Sequence, residues 1–247
     1  MRGLIIIPAY NEEKNILQVA RRVSENPAGF DYVVINDCST DNTLKLCQHE
    51  GIPVLNLPVN LGIGGAVQTG YRYALAEGYD MAIQMDGDGQ HDAAFLPDMV
   101  KALKEKDADM VIGSRFIKKE GYQSSAVRRV GIRYFSNLIR LYTGKRIYDP
   151  TSGFRLINRR LIRLFAADYP ADYPEPESLT HILKAGCRVL EVPVQMNERA
   201  DGTSSIRGFK SIYYMLKVST AITVQMLGGK HNLVSQSDEL QELRQTD

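Results

Sequence analysis

The stretch Met81-Ala82-Ile83-Gln84-Met85-Asp86-Gly87-Asp88-Gly89-Gln90-His91 decides how this chain is read. An apolar run of strand length stops abruptly at two carboxylates with one glycine between them. At the carboxyl end of a buried parallel strand, such residues face the crevice where open α/β sheets bind ligands. Side chains two apart on an extended backbone point the same way, so Asp86 and Asp88 would act together. Hard divalent cations want oxygen ligands, and Mg²⁺ is commonly shared between one or two carboxylates and a substrate's phosphates. The pattern points to metal-assisted chemistry on a phosphorylated compound. An Asp-Gly turn after a strand has the same composition, so the rest of the chain must separate the two readings.

Working outward, the first half alternates strands and helices. Leu4–Ile7, Tyr32–Ile35, Val54–Leu57, Met81–Met85 and Met110–Ile112 read as short buried strands rich in branched residues. Helical stretches fall between them at Glu12–Glu25, Asp41–Glu50, Gly65–Glu77 and Ala94–Lys104, with Asn11 as an N-cap and Gly51 and Gly78 as stops. This order predicts a mostly parallel sheet covered by helices. The second half is helical from Ser125 to Thr143 and loop-like from Asp149 to Arg155. Another helix follows, then a proline-stiffened extended segment from Tyr169 to Glu177. Arg188–Val194 reads as a late strand, and the tail after Lys230 as frayed.

Other polar groups sit at the ends of the predicted strands. Pro8-Ala9-Tyr10-Asn11-Glu12-Glu13 follows the first and Asn36-Asp37-Cys38-Ser39-Thr40-Asp41 the second. Either could frame a nucleotide base, with Asp37 accepting from an imide N–H, or simply cap the next helix. Gly113-Ser114-Arg115 follows the fifth strand, and Arg115, like Arg129 and Arg155, has the fork that clamps a phosphate. Glu175 and Glu177 could act as a base or bind sugar hydroxyls, or be an exposed acidic turn. His91 is a metal neighbour or a structural histidine. Leu61-Gly62-Ile63-Gly64-Gly65-Ala66-Val67 fails as a dinucleotide fingerprint, because Val67 occupies the third glycine position; a close-packed helix entry is the better reading.

Composition sets the outer bounds. The 247 residues are 44% hydrophobic and 24% charged, ordinary for a globular protein. Cys38, Cys47 and Cys187 form no metal or disulfide pattern, which fits a reduced compartment, and Met1-Arg2-Gly3 leads straight into a strand rather than a cleavable leader. The net charge of +1 conceals segregation. Gly121–Tyr148 carries Arg128, Arg129, Arg133, Arg140, Lys145 and Arg146 with no acid, and Gly202–Ser237 carries Arg207, Lys210, Lys217 and Lys230 with none. The remainder has 20 basic against 29 acidic residues, so anionic partners are expected at two defined places. Val130, Tyr134, Leu138 and Leu141, and then Phe209, Tyr213, Leu216, Thr220 and Val224, recur at helical spacing. Basic amphipathic helices of this kind lie on membrane surfaces; packing of that face into a core is the competing reading. The uncharged run from Val218 to Gly229 is too short to span a bilayer of about 30 Å.

Taken in order, Pro8–Glu13, Asn36–Asp41, Asp86–His91, Gly113–Arg115 and Ser152–Arg155 resemble glycosyltransferase family 2, in the branch of dolichol-phosphate mannose synthases and bacterial polyprenyl-phosphate sugar transferases. The resemblance runs from Leu4 to Ser205 and implies a GT-A (Rossmann-like) fold with C-terminal amphipathic helices. It implies a glycosyltransferase domain over 1–205, with a nucleotide-sugar half at 1–117 and an acceptor half at 118–205, before a basic helix and polar tail at 206–247. By position, Pro8, Tyr10, Glu12 and Asp37 would hold the base, Asp86, Asp88 and Gln90 the Mg²⁺ or Mn²⁺, and Arg115 and Arg129 the phosphates. Asp149 and Arg155 would face the acceptor phosphate and the transferring centre, and Arg199, Gly202 and Ser204 would form a later phosphate loop. The lysine usual in the mannose synthases is Ser205 here. With the Pro174–Glu177 run, this favours a UDP-sugar donor. Inverting transfer to undecaprenyl phosphate at the cytoplasmic membrane face is the expected reaction, beside a small membrane protein, with no nucleic-acid partner and the oligomeric state open. The alternatives are transfer to a glycan hydroxyl in cell-wall or capsule polysaccharide synthesis, with Asp149, Glu175 or Glu177 as base, and a non-catalytic nucleotide-sugar-binding scaffold.

Overall fold

In a computed structural model, which describes residues 1–117, 126–172, 174–197 and 209–227, the elements alternate through the first half. They run β1 (Gly3–Ala9), α1 (Ile16–Ser24), β2 (Asp31–Asn36), α2 (Thr43–His49), β3 (Val54–Asn56), α3 (Gly62–Ala76), β4 (Met81–Gln84), α4 (Leu96–Glu105) and β5 (Met110–Ser114). Next come α5 (Ala126–Thr143), β6 (Arg155–Asn158), α6 (Arg159–Ala167), α7 (Pro174–Lys184), β7 (Val189–Pro193) and α8 (Phe209–Leu227). The strands form one sheet in the order β3-β2-β1-β4-β6-β5-β7, parallel except for β6, which is antiparallel to both neighbours.

The branched strands explain this sheet. β1, β4 and β5 are buried along their whole length because helices cover both faces. One core packs α3, α6 and α7 against Leu4, Ile6, Ala82 and Ile112. The other packs α1 and α4 against Ile5, Ile7, Ile83 and Val111. Gly51 and Gly78 close their helices in the left-handed region, at φ 66° and 73°.

Three expectations are corrected. The predicted loop and helix around Arg155 conceal β6, which fills the gap between β4 and β5. Asn11 is not a helix cap: α1 begins only at Ile16, and Asn11 Oδ1 instead accepts the Thr40 amide at 2.8 Å. The Pro174-Glu175-Pro176-Glu177 run is not extended but opens α7. A proline in the first helical turn loses only an N–H that would have no intrahelical partner.

The glycine-rich entry of α3 is close-packed, as the sequence implied. A Cβ on Gly64 would lie 2.0 Å from the Pro170 carbonyl oxygen, and the Gly64 amide donates to the Ala171 carbonyl at 3.1 Å. Gly64→Ala should therefore push backbone against backbone and destabilise by about 1–3 kcal/mol, read as a lower denaturation midpoint in urea. An unchanged midpoint would mean that the 170–171 loop yields freely.

Most of the described residues of the two apolar stripes singled out in the sequence face outward; the side chains of Phe209 and Tyr213 lie outside those described. Val130, Tyr134 and Leu141 of α5 are exposed, as are Leu216, Thr220 and Val224 of α8. The two helices pack together through Phe135, Val218, Ile222 and Met226, buried between them, with Leu138 of the α5 stripe packed against this cluster. Tyr134 Oη and Ser219 Oγ lie 3.0 Å apart across the seam, and Tyr142 Oη donates to Thr223 Oγ1 at 3.1 Å. No helix among the described residues is long and apolar enough to cross a membrane.

Candidate active site

Parallel strands bring their carboxyl ends to one edge, so β1, β2, β4 and β5 deliver their following residues to a common crevice. Antiparallel β6 starts at that edge, with Arg155 in register with Gln84 of β4 and Ile112 of β5. The structure thus brings Pro8, Tyr10, Glu12, Asp37, Asp86, Asp88, Gln90, Arg115, Asp149 and Arg155 to one end of the sheet. Arg129 lies partly exposed in the first turn of α5. Arg199, Gly202, Ser204, Ser205 and the tail lie outside the described residues.

The rim at β1 and β2 is stitched tightly. Asn11 and Cys38 sit in the left-handed region, at φ 57° and 56°, a conformation uncommon outside glycine. The Asn11 amide donates to Ser39 Oγ at 3.0 Å, and the Glu12 amide to Thr43 Oγ1 at 2.8 Å. Tyr10 is left 50% exposed at the mouth. Asp37 is buried, and its Oδ1 accepts the Leu61 amide at 2.7 Å, which ties β2 to the entry of α3.

The carboxylate loop is held from three sides. The Asp86 amide donates to His91 Nδ1 at 2.9 Å, and the His91 ring stacks on Phe154 with centroids 4.9 Å apart. His91 is therefore a structural histidine that fixes the loop. Gln84 Nε2 donates to Asp86 Oδ1 at 3.1 Å, and the Gln90 amide to Asp88 Oδ1 at 3.0 Å. A Cβ on Gly153 would lie 2.9 Å from Gln84 Nε2 and 3.3 Å from Asp86 Oδ1, so only glycine lets the β6 approach lie against the carboxylate. No group of three or more acidic, histidine or cysteine side chains is arranged to enclose a metal among the described residues. Two hard carboxylates, one of them 38% exposed, fit a cation that completes its shell on a bound diphosphate and water.

Arg115 and Asp149 form a bidentate pair beside this loop. Arg115 Nε donates to Asp149 Oδ2 and NH2 to Oδ1, both at 2.7 Å, and Asp149 is 0% exposed. Burial alone would lower the Arg115 pKa; the Asp149 hydrogen bond and charge, with the charge of Asp86, hold it above its ordinary value. Asp149 is enclosed against Arg115 rather than open to an acceptor, and its two oxygens fix the Arg115 guanidinium. Glu191 of β7 grips the same segment, its two oxygens accepting the Tyr148 and Asp149 amides at 2.8 Å each. Burial pushes its carboxyl up, and the two amides oppose the rise.

Arg155 is placed differently from the sequence expectation. Its guanidinium is 1% exposed and is spent on backbone carbonyls, from Nε to Ser152 at 2.7 Å, NH1 to Glu175 at 2.8 Å and NH2 to Pro150 at 2.7 Å. It pins the loops around the crevice rather than meeting an acceptor phosphate. Between these loops Glu175 projects toward Gln84 and Asp86. Burial pushes its carboxyl up, the Arg155 charge opposes this, and the Asp86 charge adds to the rise while the Gln84 hydrogen bond counters it. Glu177 faces elsewhere; burial raises it too, with the charges of Asp168 and Asp172 adding.

The Glu175 shift has a consequence for stability. A raised folded-state pKa means that its stabilising contribution is present below the ordinary carboxylate range and is lost as pH rises through the raised value. In metal-free protein, Glu175→Gln should therefore raise Tm at pH 8, with the gain fading toward pH 4. A gain independent of pH would assign the effect to something other than this ionisation.

Gln84 and Glu191 were not singled out from the sequence. A polar residue inside an otherwise apolar strand was the available signal for each.

A mostly parallel sheet with paired carboxylates and an arginine at its carboxyl edge defines a glycosyltransferase of the GT-A type. The chain belongs to glycosyltransferase family 2, whose profile, "Glycosyl transferase family 2", matches residues 4–165. It is 30% identical over 217 residues to an undecaprenyl-phosphate mannosyltransferase of Micrococcus luteus, covering 84% of this chain and 88% of that one. It is 27% identical over 236 residues to a UDP-N-acetylglucosamine–dolichyl-phosphate N-acetylglucosaminyltransferase of Methanococcus voltae, covering 86% and 94%. In fold it is similar to glucosyl-3-phosphoglycerate synthase of Mycobacterium tuberculosis, solved with Mn²⁺, UDP and glucosyl-3-phosphoglycerate. The TM-score is 0.66 at 20% identity, over 94% of this chain and 81% of that one.

Proposed function

We propose that this glycosyltransferase moves a sugar from a nucleotide diphosphate donor, a UDP-sugar, to polyprenyl phosphate at the cytoplasmic membrane surface. The observation that carries this reading is the combination of an Asp86–Asp88 pair beside Arg115 with outward apolar stripes on basic helices. Asp86 and Asp88 would hold Mg²⁺ or Mn²⁺, which as a Lewis acid supplies neutralisation of the leaving diphosphate. Arg115 adds a fixed positive charge where that leaving group develops its own, and Arg129 is assigned to the same phosphates. Pro8, Tyr10, Glu12 and Asp37 frame the base, and Arg199 and Ser204 are assigned to the donor by their sequence positions. The bond from the anomeric carbon to the diphosphate breaks as an acceptor phosphate oxygen attacks from the opposite face. That oxygen arrives ionised, so the reaction needs no general base, which agrees with Asp149 being buried against Arg115.

A second reading, transfer to a glycan hydroxyl, is favoured by one observation. Glu175 is a carboxyl of raised pKa directed at the Asp86 loop, as a general base requires. Incubating purified protein with labelled UDP- and GDP-sugars, Mn²⁺ and undecaprenyl phosphate in detergent separates the two. Label entering the lipid phase supports the first reading. Release of nucleotide only with a sugar acceptor sinks it.

The outward stripes support the membrane placement. Val130, Tyr134 and Leu141 are flanked on α5 by exposed Arg133 and Arg140, while Lys217, beside Leu216 on α8, is paired with Asp172 at 2.5 Å. Each basic residue near an anionic surface contributes about 1 kcal/mol, and salt screens it. Vesicle sedimentation should therefore require anionic lipid, weaken with salt, and fall at least ~10-fold in Leu141→Asp, which removes one apolar anchor and adds a repelled charge. Binding indifferent to both lipid charge and salt would count against surface docking.

A further inference from the structure

The residues that touch the crevice do not account for Glu191. It lies on β7, the edge strand, in register with Ile112 of β5, and its carboxylate leaves the sheet to bind two consecutive main-chain amides, those of Tyr148 and Asp149. Two adjacent N–H groups pointing the same way need an acceptor with two oxygens at one place. A carboxylate supplies that; an amide side chain does not, because one of its two arms is itself a donor.

The consequence reaches Arg115. Asp149 is gripped through its main chain by Glu191 and through its side chain by Arg115, whose own amide also donates to Asp149 Oδ2 at 3.2 Å. The following residue is held in turn, since the Pro150 carbonyl accepts from Arg155. Side chains from β7, from β6 and from the residue just after β5 thus fix one short loop, and its single carboxylate side chain sets where the Arg115 fork lies relative to Asp86. If the Glu191 grip loosens, Asp149 gains freedom first and Arg115 follows.

We propose that Glu191 is a positioning residue for glycosyl transfer, acting through Asp149 to hold the Arg115 guanidinium against the site of the departing diphosphate. The role rests on the reading of Arg115 as a diphosphate contact. It does not depend on which sugar is moved or which acceptor receives it. The chain of contact is specific: Glu191 touches no proposed ligand residue of the metal and no base-framing residue.

A double-mutant cycle tests it. Glu191→Gln keeps one acceptor and sets a donor against the second amide. Misplacing a group by a fraction of an ångström to an ångström is enough to lower kcat on the order of 10–100-fold, and affinity for UDP or GDP with Mn²⁺, measured by calorimetry, should fall with it. In an Arg115→Lys background the fork is already gone, so adding Glu191→Gln should change both readouts less than about twofold. Equal factors in the two backgrounds, or a kcat unaffected by Glu191→Gln, overturn the proposal, because a merely structural residue would act independently of Arg115. If Glu191→Gln does not fold, Glu191→Asp retains both oxygens with a shorter reach and enters the same cycle. Wild-type protein that binds nucleotide without turning over the supplied donor and acceptor would fault the proposed reaction and leave the binding cycle decisive for Glu191. Wild-type protein that binds neither nucleotide would overturn the site and this role together.

Discussion

Asp86→Asn should lower the rate of sugar transfer on the order of 10³-fold, the scale set by removing one charge-stabilising group from a preorganised site, while leaving Tm nearly unchanged. The separation follows from which atoms hold the loop. The bond to His91 comes from the Asp86 main-chain amide, and the side-chain bond from Gln84 goes to an oxygen that asparagine retains. The substitution therefore keeps these two bonds; beside the negative charge it alters only the looser approach of Asp86 Oδ2 to His91 Nε2, at 3.7 Å. Asp88→Asn should behave likewise, since its Oδ1 bond to the Gln90 amide also survives. Chelation of divalent cations should reproduce the loss in wild-type protein, and Mn²⁺ should restore wild type but not the variants. Activity of Asp86→Asn within tenfold of wild type, measured by release of UDP or GDP, would remove the paired carboxylates from the centre of the mechanism.

That pair was legible because local sequence and sheet geometry agree there. A buried strand ending in two acids could equally have been an Asp-Gly turn, but the parallel run of β1, β2, β4 and β5 brings the remaining motifs to the same edge. The less legible parts depend on contacts distant in sequence. β6 has four residues and begins with a charged one, so neither length nor alternation marks it; only its position between β4 and β5 makes it a strand. Arg155 read as a ligand-binding cation because burying a guanidinium among carbonyls is costly unless several converge, and nothing local announces that three do. In Pro174–Glu177 the prolines outweighed the apolar spacing of Leu179, Ile182 and Leu183, which are buried on α7 and marked the helix. The stripes on α5 and α8 were read from helical spacing, which places Val130, Tyr134, Leu141, Leu216 and Val224 outward but does not separate Leu138, which packs in the seam. Which face is covered was settled by residues between them, Phe135 and Ile222 among others.

The second large effect is expected at Asp149, where stability and catalysis can be pulled apart. Asp149→Asn keeps shape but sets an amide donor against the Arg115 fork, leaving a buried cation without its counter-charge. Breaking a buried pair from one side costs about 3–5 kcal/mol, which for a chain of this size lowers Tm by roughly 10 °C. Transfer should fall as well, because Arg115 loses the partner that aims it. Loss of activity in an unstable protein proves little, so the informative variant removes both partners. Replacing a buried ion pair by apolar groups of similar volume is often neutral for stability. Arg115→Met with Asp149→Leu should therefore recover most of the lost Tm, while the Glu191 grip on the 148–149 amides, made to main chain, remains in place. Such a protein would be folded and near wild-type in stability, yet without the cation beside Asp86. Its transfer rate should remain depressed at least as far as in Asp149→Asn. If instead the double variant recovers rate along with Tm, the Arg115–Asp149 pair is a structural brace, and the charge facing the diphosphate must come from elsewhere, with Arg129 next in line.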